Sequence, residues 1–508
     1  MSTANICIIL AIVAYLVVVL LIGFLFSKNN TNTEDFYLGG RKMGPIVTAM
    51  SAEASDMSSW LLMGLPGVAY LSGVCDAAWT AIGLAIGTWL NWLLVSRRLR
   101  RYSHNVKAIT VPDFLAKRFH DERKIISALA AVIIIVFFIP YTASGFAACG
   151  KLFHSLFGVD YMLAMIVSAL VIVSYTIMGG FSAVCITDLV QSIVMSAALV
   201  IVVFFGVHVA GGWDAVAQNA QSLAGYLSLN ETFDAVTNTA QPYGIVKIIS
   251  TMAWGLGYFG IPHILVRFMA IEDEKKLVIS RRIATIWVVI AMSVGILVGV
   301  VGLAMSRAGA IEQLEDSETI IMAITGLLSK YGIIAALVAG IILAGILAST
   351  MSTSDSQLLT AASGASKDIL QDFFHIKMSE KTGLMVARGT IIGIAIISMF
   401  LARDPEASVF KIVSFAWAGF GGAFGAVILC SLFWKRTNLF GALSGMIAGG
   451  TAVFLWKFLV RPMGGVFDIY ELLPAFLVSL IVTILFSLIT KAPSQEILGE
   501  FKAASQEK

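Results

Sequence analysis

The segment TAMSAEASDMSSWLLMGLPGVAY, at residues 48–70, sets two carboxylates in an otherwise apolar stretch. Glu53 and Asp56 are followed by Gly64, Pro66 and Gly67. Glycine and proline weaken the backbone hydrogen bonds of a helix, and freed carbonyls at membrane depth are tolerated only where protein lines a cavity. The segment therefore predicts a membrane helix that is broken near its middle. Glycines that pack an ordinary helix against a neighbour are the alternative.

A second stretch, TMAWGLGYFGIPHILVRFMA at residues 251–270, has the same character. Its glycines and proline lie among aromatic residues, at Gly255, Gly257, Gly260 and Pro262. Interrupted helices at corresponding positions in two halves of a chain indicate a transporter site between inverted repeats.

The composition of the chain is that of a membrane protein. Of its 508 residues, 58% are hydrophobic and 13% are charged, against roughly 25% charged in an ordinary soluble domain. The apolar runs reach the roughly 20 residues that a helix needs to cross a hydrocarbon core about 30 Å thick. We predict about thirteen transmembrane helices in one transporter domain. Their ranges are 6–27, 46–71, 76–98, 124–153, 159–178, 184–209, 244–269, 280–306, 333–363, 380–402, 407–434, 438–460 and 471–490.

The positions of lysine and arginine predict the orientation. The loop SRRLRRYSHNVK at 96–107 is strongly basic, whereas residues 211–244 contain no lysine or arginine. Basic loops stay in the cytoplasm, so we expect the N-terminus outside, the C-terminus inside and a short external helix within 211–244. The first span, 6–27, is longer than a signal-peptide core and is expected to be retained.

Other classes of function find little support in the sequence. The five scattered cysteines suggest neither disulfides nor a metal site, and a net charge of +3 does not suggest nucleic acid as a partner. The chain has no H-E-x-x-H motif and no sequence typical of a pore filter, so a membrane enzyme, sensor or channel is disfavoured. We expect no obligatory protein partner.

Six motifs, two of them within the segments quoted above, resemble those of the sodium/solute symporter family. They are SAEASDMSSWLLMGLPG at 51–67, FFIPYTASG at 137–145, AWGLGYFGIPHILVRFMA at 253–270, MSTSDSQLL at 351–359, AWAGFGGAFG at 416–425 and YELLP at 470–474. The resemblance implies an all-α membrane protein with a five-plus-five inverted repeat of the leucine-transporter type. The expected parts are a leading span at 6–27, a first repeat at 46–209, a second repeat at 244–434 and two trailing spans at 438–490.

The function implied by the resemblance is sodium-coupled uptake of L-proline by alternating access across a bacterial inner (plasma) membrane. Sodium is then the coupling ion, and membrane lipid surrounds the chain. Sodium- or proton-coupled symport of another small carboxylated solute, such as a different amino acid, a monocarboxylate or pantothenate, is the alternative.

A sodium ion needs about five or six hard oxygen ligands, which helices supply by unwinding or by presenting hydroxyls. Ser349, Ser352 and Thr353 are spaced so that they share one helical face. Serines and threonines that only hold helices together are the alternative. The resemblance implies a first sodium site made of the carbonyls of Ala54, Met57 and Ser349 and the hydroxyls of Ser352 and Thr353.

A second sodium site is implied by some members of the superfamily, on the cytoplasmic side of the first. Its candidate residues here are Asp188, Ser352, Asp355 and Ser356. Alternatively, Asp188 caps a helix, or Asp355 pairs with a cytoplasmic lysine.

The resemblance also implies a solute site formed by Tyr141, Trp254, Tyr258 and Pro262. Aromatic rings suit the apolar ring of proline, although aromatic residues in membrane spans more often serve as packing or as interface anchors. A carboxylate in an apolar span usually faces a cavity and has a function. We expect Asp56 to ligate sodium or, preferably, to hold the unwound backbone open by accepting amide hydrogens.

Three residues depart from the family pattern. Glu53 stands where a small or neutral residue is expected, Ile261 where glutamine is expected and Asp355 where a hydroxyl residue is expected. We expect Glu53 to be protonated or paired near the unwound segment without ligating sodium. Ile261 removes a polar group from the solute region and leaves the exact solute open.

Overall fold

The computed structural model describes residues 2–27, 32–404 and 408–505, and these are almost entirely helical. The helices of the N-terminal half are α1 (Thr3–Ser27), α2 (Thr33–Leu38), α3 (Pro45–Ser59), α4 (Leu65–Ser72), α5 (Val74–Leu90), α6 (Ser96–Asn105), α7 (Val111–Arg118), α8 (Ile125–Phe157), α9 (Tyr161–Val209) and α10 (Trp213–Gln221). They include a helix that is broken into two parts, α3 and α4, together with long helices and short ones between them.

A short antiparallel hairpin, β1 (Glu231–Asp234) and β2 (Thr239–Pro242), separates this half from the next. The remaining helices are α11 (Ile245–Met252), α12 (Pro262–Ala270), α13 (Leu277–Arg307), α14 (Ile320–Leu328), α15 (Ile333–Ser363), α16 (Glu380–Leu401), α17 (Val409–Phe420), α18 (Ala426–Phe433), α19 (Leu439–Leu455), α20 (Leu472–Ile489) and α21 (Gln495–Ser505). The predicted short helix within 211–244 is α10, while the hairpin was not predicted.

Each of the thirteen predicted ranges overlaps helix in the structure, although residue 407, the first of one range, lies outside the described residues. Within the described part, ten helices are long and apolar enough to cross a membrane, or eleven with the bent pair 245–259 and 262–270. The predicted ranges 159–178 and 184–209 form the single helix α9, whose backbone is non-helical at Gly180 (φ 60°, ψ −162°).

The helix predicted at 46–71 is broken, but not at its glycines and proline. The non-helical residue is Ser58 (φ 45°, ψ −170°), at the end of α3. Pro66 instead follows a π-helical turn at Trp60–Gly64, whose helical backbone continues into α4. The second predicted break is present, since the segment Ile245–Phe259, which ends in tight 3-10 turns at residues 253–259, meets α12 at an angle of 45°.

The centre of the fold is α15, which packs against α1, α3, α8 and α9. Beside it, α5 packs closely against the turn at residues 253–259. A Cβ atom on Gly87 would lie 2.4 Å from the carbonyl oxygen of Gly255, and one on Gly255 would lie 2.2 Å from that of Gly83. Small residues allow such close backbone approach between membrane helices.

Gly87→Ala is therefore expected to destabilise the protein by about 1–3 kcal/mol, because the added methyl group meets backbone that cannot rotate away. The measurement is the midpoint of thermal unfolding in detergent. Gly393→Ala, at a helical glycine of α16 with no neighbouring atom within 4 Å of the new Cβ, serves as the control and should unfold at or above the wild-type midpoint. Equal midpoints for the two variants would contradict the packing described.

Candidate functional site

Four of the five residues predicted for the first sodium site come together where α15 crosses α3. The hydroxyl of Ser352 donates to the carbonyl of Ala54 at 2.8 Å and lies 3.1 Å from the carbonyl of Ser349. The hydroxyl of Thr353 donates to the same Ser349 carbonyl at 3.2 Å. All four residues are buried, so the crossing concentrates neutral oxygen donors in the interior.

The fifth residue, Met57, directly precedes the break at Ser58. Its carbonyl accepts the backbone N–H of Trp60 across the break. The hydroxyl of Ser58 also binds the N–H of Trp60, at 3.1 Å. The break is thus stabilised locally, by hydrogen bonds that replace those of a continuous helix.

Asp56 is bound by tyrosines in the structure. The phenol hydroxyl of Tyr258 donates to its carboxylate, and that of Tyr141 donates to its backbone carbonyl at 3.3 Å. The expectation that the Asp56 carboxylate accepts amide hydrogens differs from this geometry, in which a phenol is the donor. Asp56 consequently connects the broken helix α3 to α8 and to the turn at residues 253–259.

A cavity of about 10 Å³ lies next to Asp56. It is far smaller than the ~300–1,000 Å³ usual for ligand pockets, so the structure shows a closed form of the site. The residues that line it are Asp56, Met57, Trp60, Leu84, Tyr141, Trp254, Val413 and Trp417.

Of the four residues predicted for the solute, Tyr141 and Trp254 line this cavity. Tyr258 is placed beside it by its bond to Asp56, and Pro262 is buried at the start of α12. Sequence reasoning missed Trp417, whose indole N–H donates to the carbonyl of Trp254 at 2.8 Å. Its location in the family-like segment AWAGFGGAFG was the available signal.

Trp254 is the centre of an aromatic cluster. Its ring stacks on that of Tyr470, with centroids 5.2 Å apart, and contacts the rings of Trp60 at 5.7 Å and Phe410 at 5.6 Å. Aromatic pairs at these separations stabilise beyond the area they bury. The cluster gives the cavity an apolar wall on one side, while Asp56 provides a polar one.

The residues predicted for a second sodium site surround a buried arginine. Arg267 pairs with Asp188 at 3.1 Å and donates to the hydroxyl of Ser356 at 2.5 Å. Asp355 accepts from Tyr175 at 2.8 Å and from Ser356 at 3.2 Å. Ser352 belongs to the first group instead. Neither carboxylate pairs with a lysine in the part of the chain that the structure describes.

The sequence analysis did not predict a role for Arg267, although this residue lies within the motif at 253–270. Its partner, Asp188, is 79 positions away along the chain, so no local pattern connects the two.

Glu53 lies beneath Asp56 on α3 and is buried. Its Oε1 atom accepts the indole N–H of Trp92 at 3.0 Å, while Oε2 has no hydrogen-bond partner among the described residues. Of the two states expected for Glu53, protonated or paired, no pairing with a cation is seen in that part of the chain.

A polar and aromatic site between two broken membrane helices is typical of a secondary transporter. The family model for the sodium:solute symporter family matches residues 36–449. The chain belongs to that family and is a transporter, not an enzyme.

Curated relatives match over nearly the whole chain. The osmoregulated proline transporter of Bacillus subtilis (strain 168) is 40% identical over 489 residues, which cover 96% of each chain. The sodium/proline symporter of Escherichia coli (strain K12) is 40% identical over 499 residues, covering 96% of this chain and 94% of the relative.

Solved structures share the fold. A Na⁺-coupled sialic acid symporter in a substrate-bound outward-open state aligns with a TM-score of 0.79 at 19% identity, covering 96% of this chain and 99% of the other. A nucleobase-cation-symport-1 family transporter in a closed conformation aligns with a TM-score of 0.56 at 14% identity, covering 92% and 98%.

Tyr258→Phe is expected to destabilise the protein by about 1–3 kcal/mol, because it removes the donor to a buried carboxylate. Thermal unfolding in detergent measures the effect. The control is Tyr331→Phe, whose side chain is 62% exposed and whose unfolding midpoint should not change. A Tyr258→Phe protein as stable as the wild type would show that the bond to Asp56 contributes nothing.

Proposed function

We propose that the protein takes up L-proline together with sodium across a bacterial inner membrane, by alternating access to the central cavity. The observation that carries this proposal is the 40% identity, over nearly the full chain, to proteins named proline transporters and sodium/proline symporters. The aromatic wall of the cavity supports it, since apolar rings suit a small apolar solute ring.

The proposal includes thirteen membrane crossings, with the N-terminus outside and the C-terminus inside. To the eleven candidate spans it adds the broken helix α3–α4 and counts α9 as two. A helix of 49 residues is about 74 Å long, more than twice the roughly 30 Å core, and Gly180 supplies the bend. The two repeats are then residues 46–209 and 244–434. One span, 6–27, precedes them, and two spans within 438–490 follow them.

The proposed sodium site consists of the carbonyls of Ala54, Met57 and Ser349 and the hydroxyls of Ser352 and Thr353. The donors fit the ion, because neutral hard oxygens suit alkali and alkaline-earth cations. Bound sodium would bridge α3 and α15, which the Ser352 hydroxyl bridges here.

The proposed solute residues are Tyr141 and Trp254 at the cavity, with Tyr258 and Pro262 supporting them. Asp56 would hold the broken helix in place through Tyr141 and Tyr258.

A second cation near Asp188, Asp355 and Ser356 remains a candidate. One carboxylate oxygen of Asp188 has no hydrogen-bond partner among the described residues. Two ionised carboxylates around the single guanidinium of Arg267 would leave one negative charge to neutralise.

The direct test is uptake of radiolabelled proline by the purified protein in lipid vesicles. Uptake should follow an inward sodium gradient and stop when potassium replaces sodium. An excess of unlabelled proline should compete, whereas pantothenate and monocarboxylates should not. Because Ile261 is buried where a polar residue was expected, competition by one of those solutes, or drive by a proton gradient alone, would favour the alternative.

Ser352→Ala is expected to raise the sodium concentration for half-maximal uptake at least about tenfold, equivalent to about 1.4 kcal/mol of lost binding. The matched control is Ser398→Ala on α16, another buried serine, whose hydroxyl donates to the carbonyl of Ile139. Its sodium dependence should equal that of the wild type. Unchanged sodium dependence in Ser352→Ala and Thr353→Ala would remove the proposed site.

A further inference from the structure

Arg267 joins four membrane helices at one buried point. Its side chain on α12 is 2% exposed. Nε donates to the hydroxyl of Ser51 on α3 at 2.9 Å, and Nη2 donates to Asp188 on α9 at 3.1 Å and to Ser356 on α15 at 2.5 Å. A fourth hydrogen bond, at 2.7 Å, runs from Nη1 to the carbonyl of His263, one turn earlier on the same helix.

This junction lies one helical turn from the proposed sodium site, on both helices that form that site. On α3, Ser51 precedes Ala54 by three residues, and on α15, Ser356 follows Ser352 by four. Residues three or four apart lie one above the other on a helix face. The guanidinium thus joins α3 to α15 as bound sodium would, but one helical turn away from the proposed sodium site.

The level of Arg267 is the cytoplasmic one in the proposed orientation, because α3 then runs outward from Pro45 and α15 runs inward from Ile333. An ion leaving the crossing of α3 and α15 for the cytoplasm meets the guanidinium first. The guanidinium blocks this route while it is bonded to Ser51 and Ser356.

We propose that Arg267 is the positioning residue that keeps the cytoplasmic exit of sodium closed, by tying Ser51 on α3 to Ser356 on α15 and Asp188 on α9. The inference rests on the proposed function, since it requires sodium at Ala54 and Ser352. Inward opening then requires the guanidinium to leave Ser51, so that sodium release and separation of α3 from α15 are one event.

A buried ion pair that only holds the fold together is the alternative. A fold-only role predicts that loss of Arg267 lowers stability without letting sodium through. An exit-closing role predicts sodium movement in the absence of solute.

The experiment measures efflux of radioactive sodium, without solute, from vesicles that contain the purified protein. Arg267→Gln is expected to raise this leak at least about tenfold over wild type, the ratio that corresponds to about 1.4 kcal/mol. Arg267→Lys, which keeps the charge, should restore most of the closure. Solute-driven uptake in Arg267→Gln should need a steeper sodium gradient, because part of it is dissipated.

The matched control is Arg118→Gln. Arg118 is also a fully buried arginine, but it lies on α7 and its Nε donates to the carbonyl of Ser431. Its loss should lower stability without raising the leak. If Arg267→Gln does not fold, Ser51→Ala removes the contacts of α3 to Arg267 and to Asp188 and should raise the leak severalfold.

A folded Arg267→Gln protein with a wild-type leak would overturn the proposal, as would a leak equally large in Arg118→Gln. When Arg267→Gln cannot be purified, a wild-type leak in Ser51→Ala overturns it. Failure of the underlying function has a separate signature, namely normal sodium dependence in Ser352→Ala.

Discussion

A backbone carbonyl released from a helix inside a membrane must find another donor, because no water is there to supply one. Two helices of this protein are broken at that depth, and each break has its own donors. At the first, Trp60 donates its N–H to Met57 and Ser352 donates its hydroxyl to Ala54. At the second, Trp417 donates to Trp254. The proposed ion and solute sites lie at these breaks, where backbone oxygens are no longer held by a continuous helix.

The breaks also depend on close backbone contact elsewhere. Gly83 and Gly87 of α5 allow that helix to touch the turn at residues 253–259, which places Trp254 at the cavity. A Cβ atom on Gly257 would in turn clash with the indole of Trp417. These glycines allow neighbouring backbone and side chains to pack closely, in addition to weakening the helices that contain them.

That double role explains what the sequence could predict. Apolar runs of the right length located the helices, and two clusters of glycine and proline located the broken ones. The break itself, at Ser58, could not be located, because serine carries no signal for positive φ. The cluster at Gly64, Pro66 and Gly67 instead lies within the helix that follows the break, where Gly67 packs on the backbone of Ser317.

Part of the site was also predictable. Ser349, Ser352 and Thr353 share a face of one helix, a local property. The bond from Tyr258 to Asp56 and the pairing of Arg267 with Asp188 join residues that are distant in the chain, and only the tertiary structure brings them together.

The structure is closed on both sides of the cavity by charged side chains. On the side opposite Arg267, Glu318 accepts the hydroxyl of Ser408 at 2.9 Å and the N–H of Val409 at 3.2 Å, at the start of α17. Lys151 of α8 lies 3.4 Å from the same carboxylate. A carboxylate at a helix N-terminus is favoured by the helix dipole, so this closure too is electrostatic.

The broken helix takes part in both closures. Ser51 of α3 binds Arg267, and Gly67 of α4 packs on the backbone of Ser317, where a Cβ atom would lie 3.1 Å away. Ser58 lies between them and interrupts the helix. A continuous helix would transmit any tilt from one closure to the other, opening or shutting both together. The break lets α3 and α4 move separately, and alternating access requires that one closure open while the other holds.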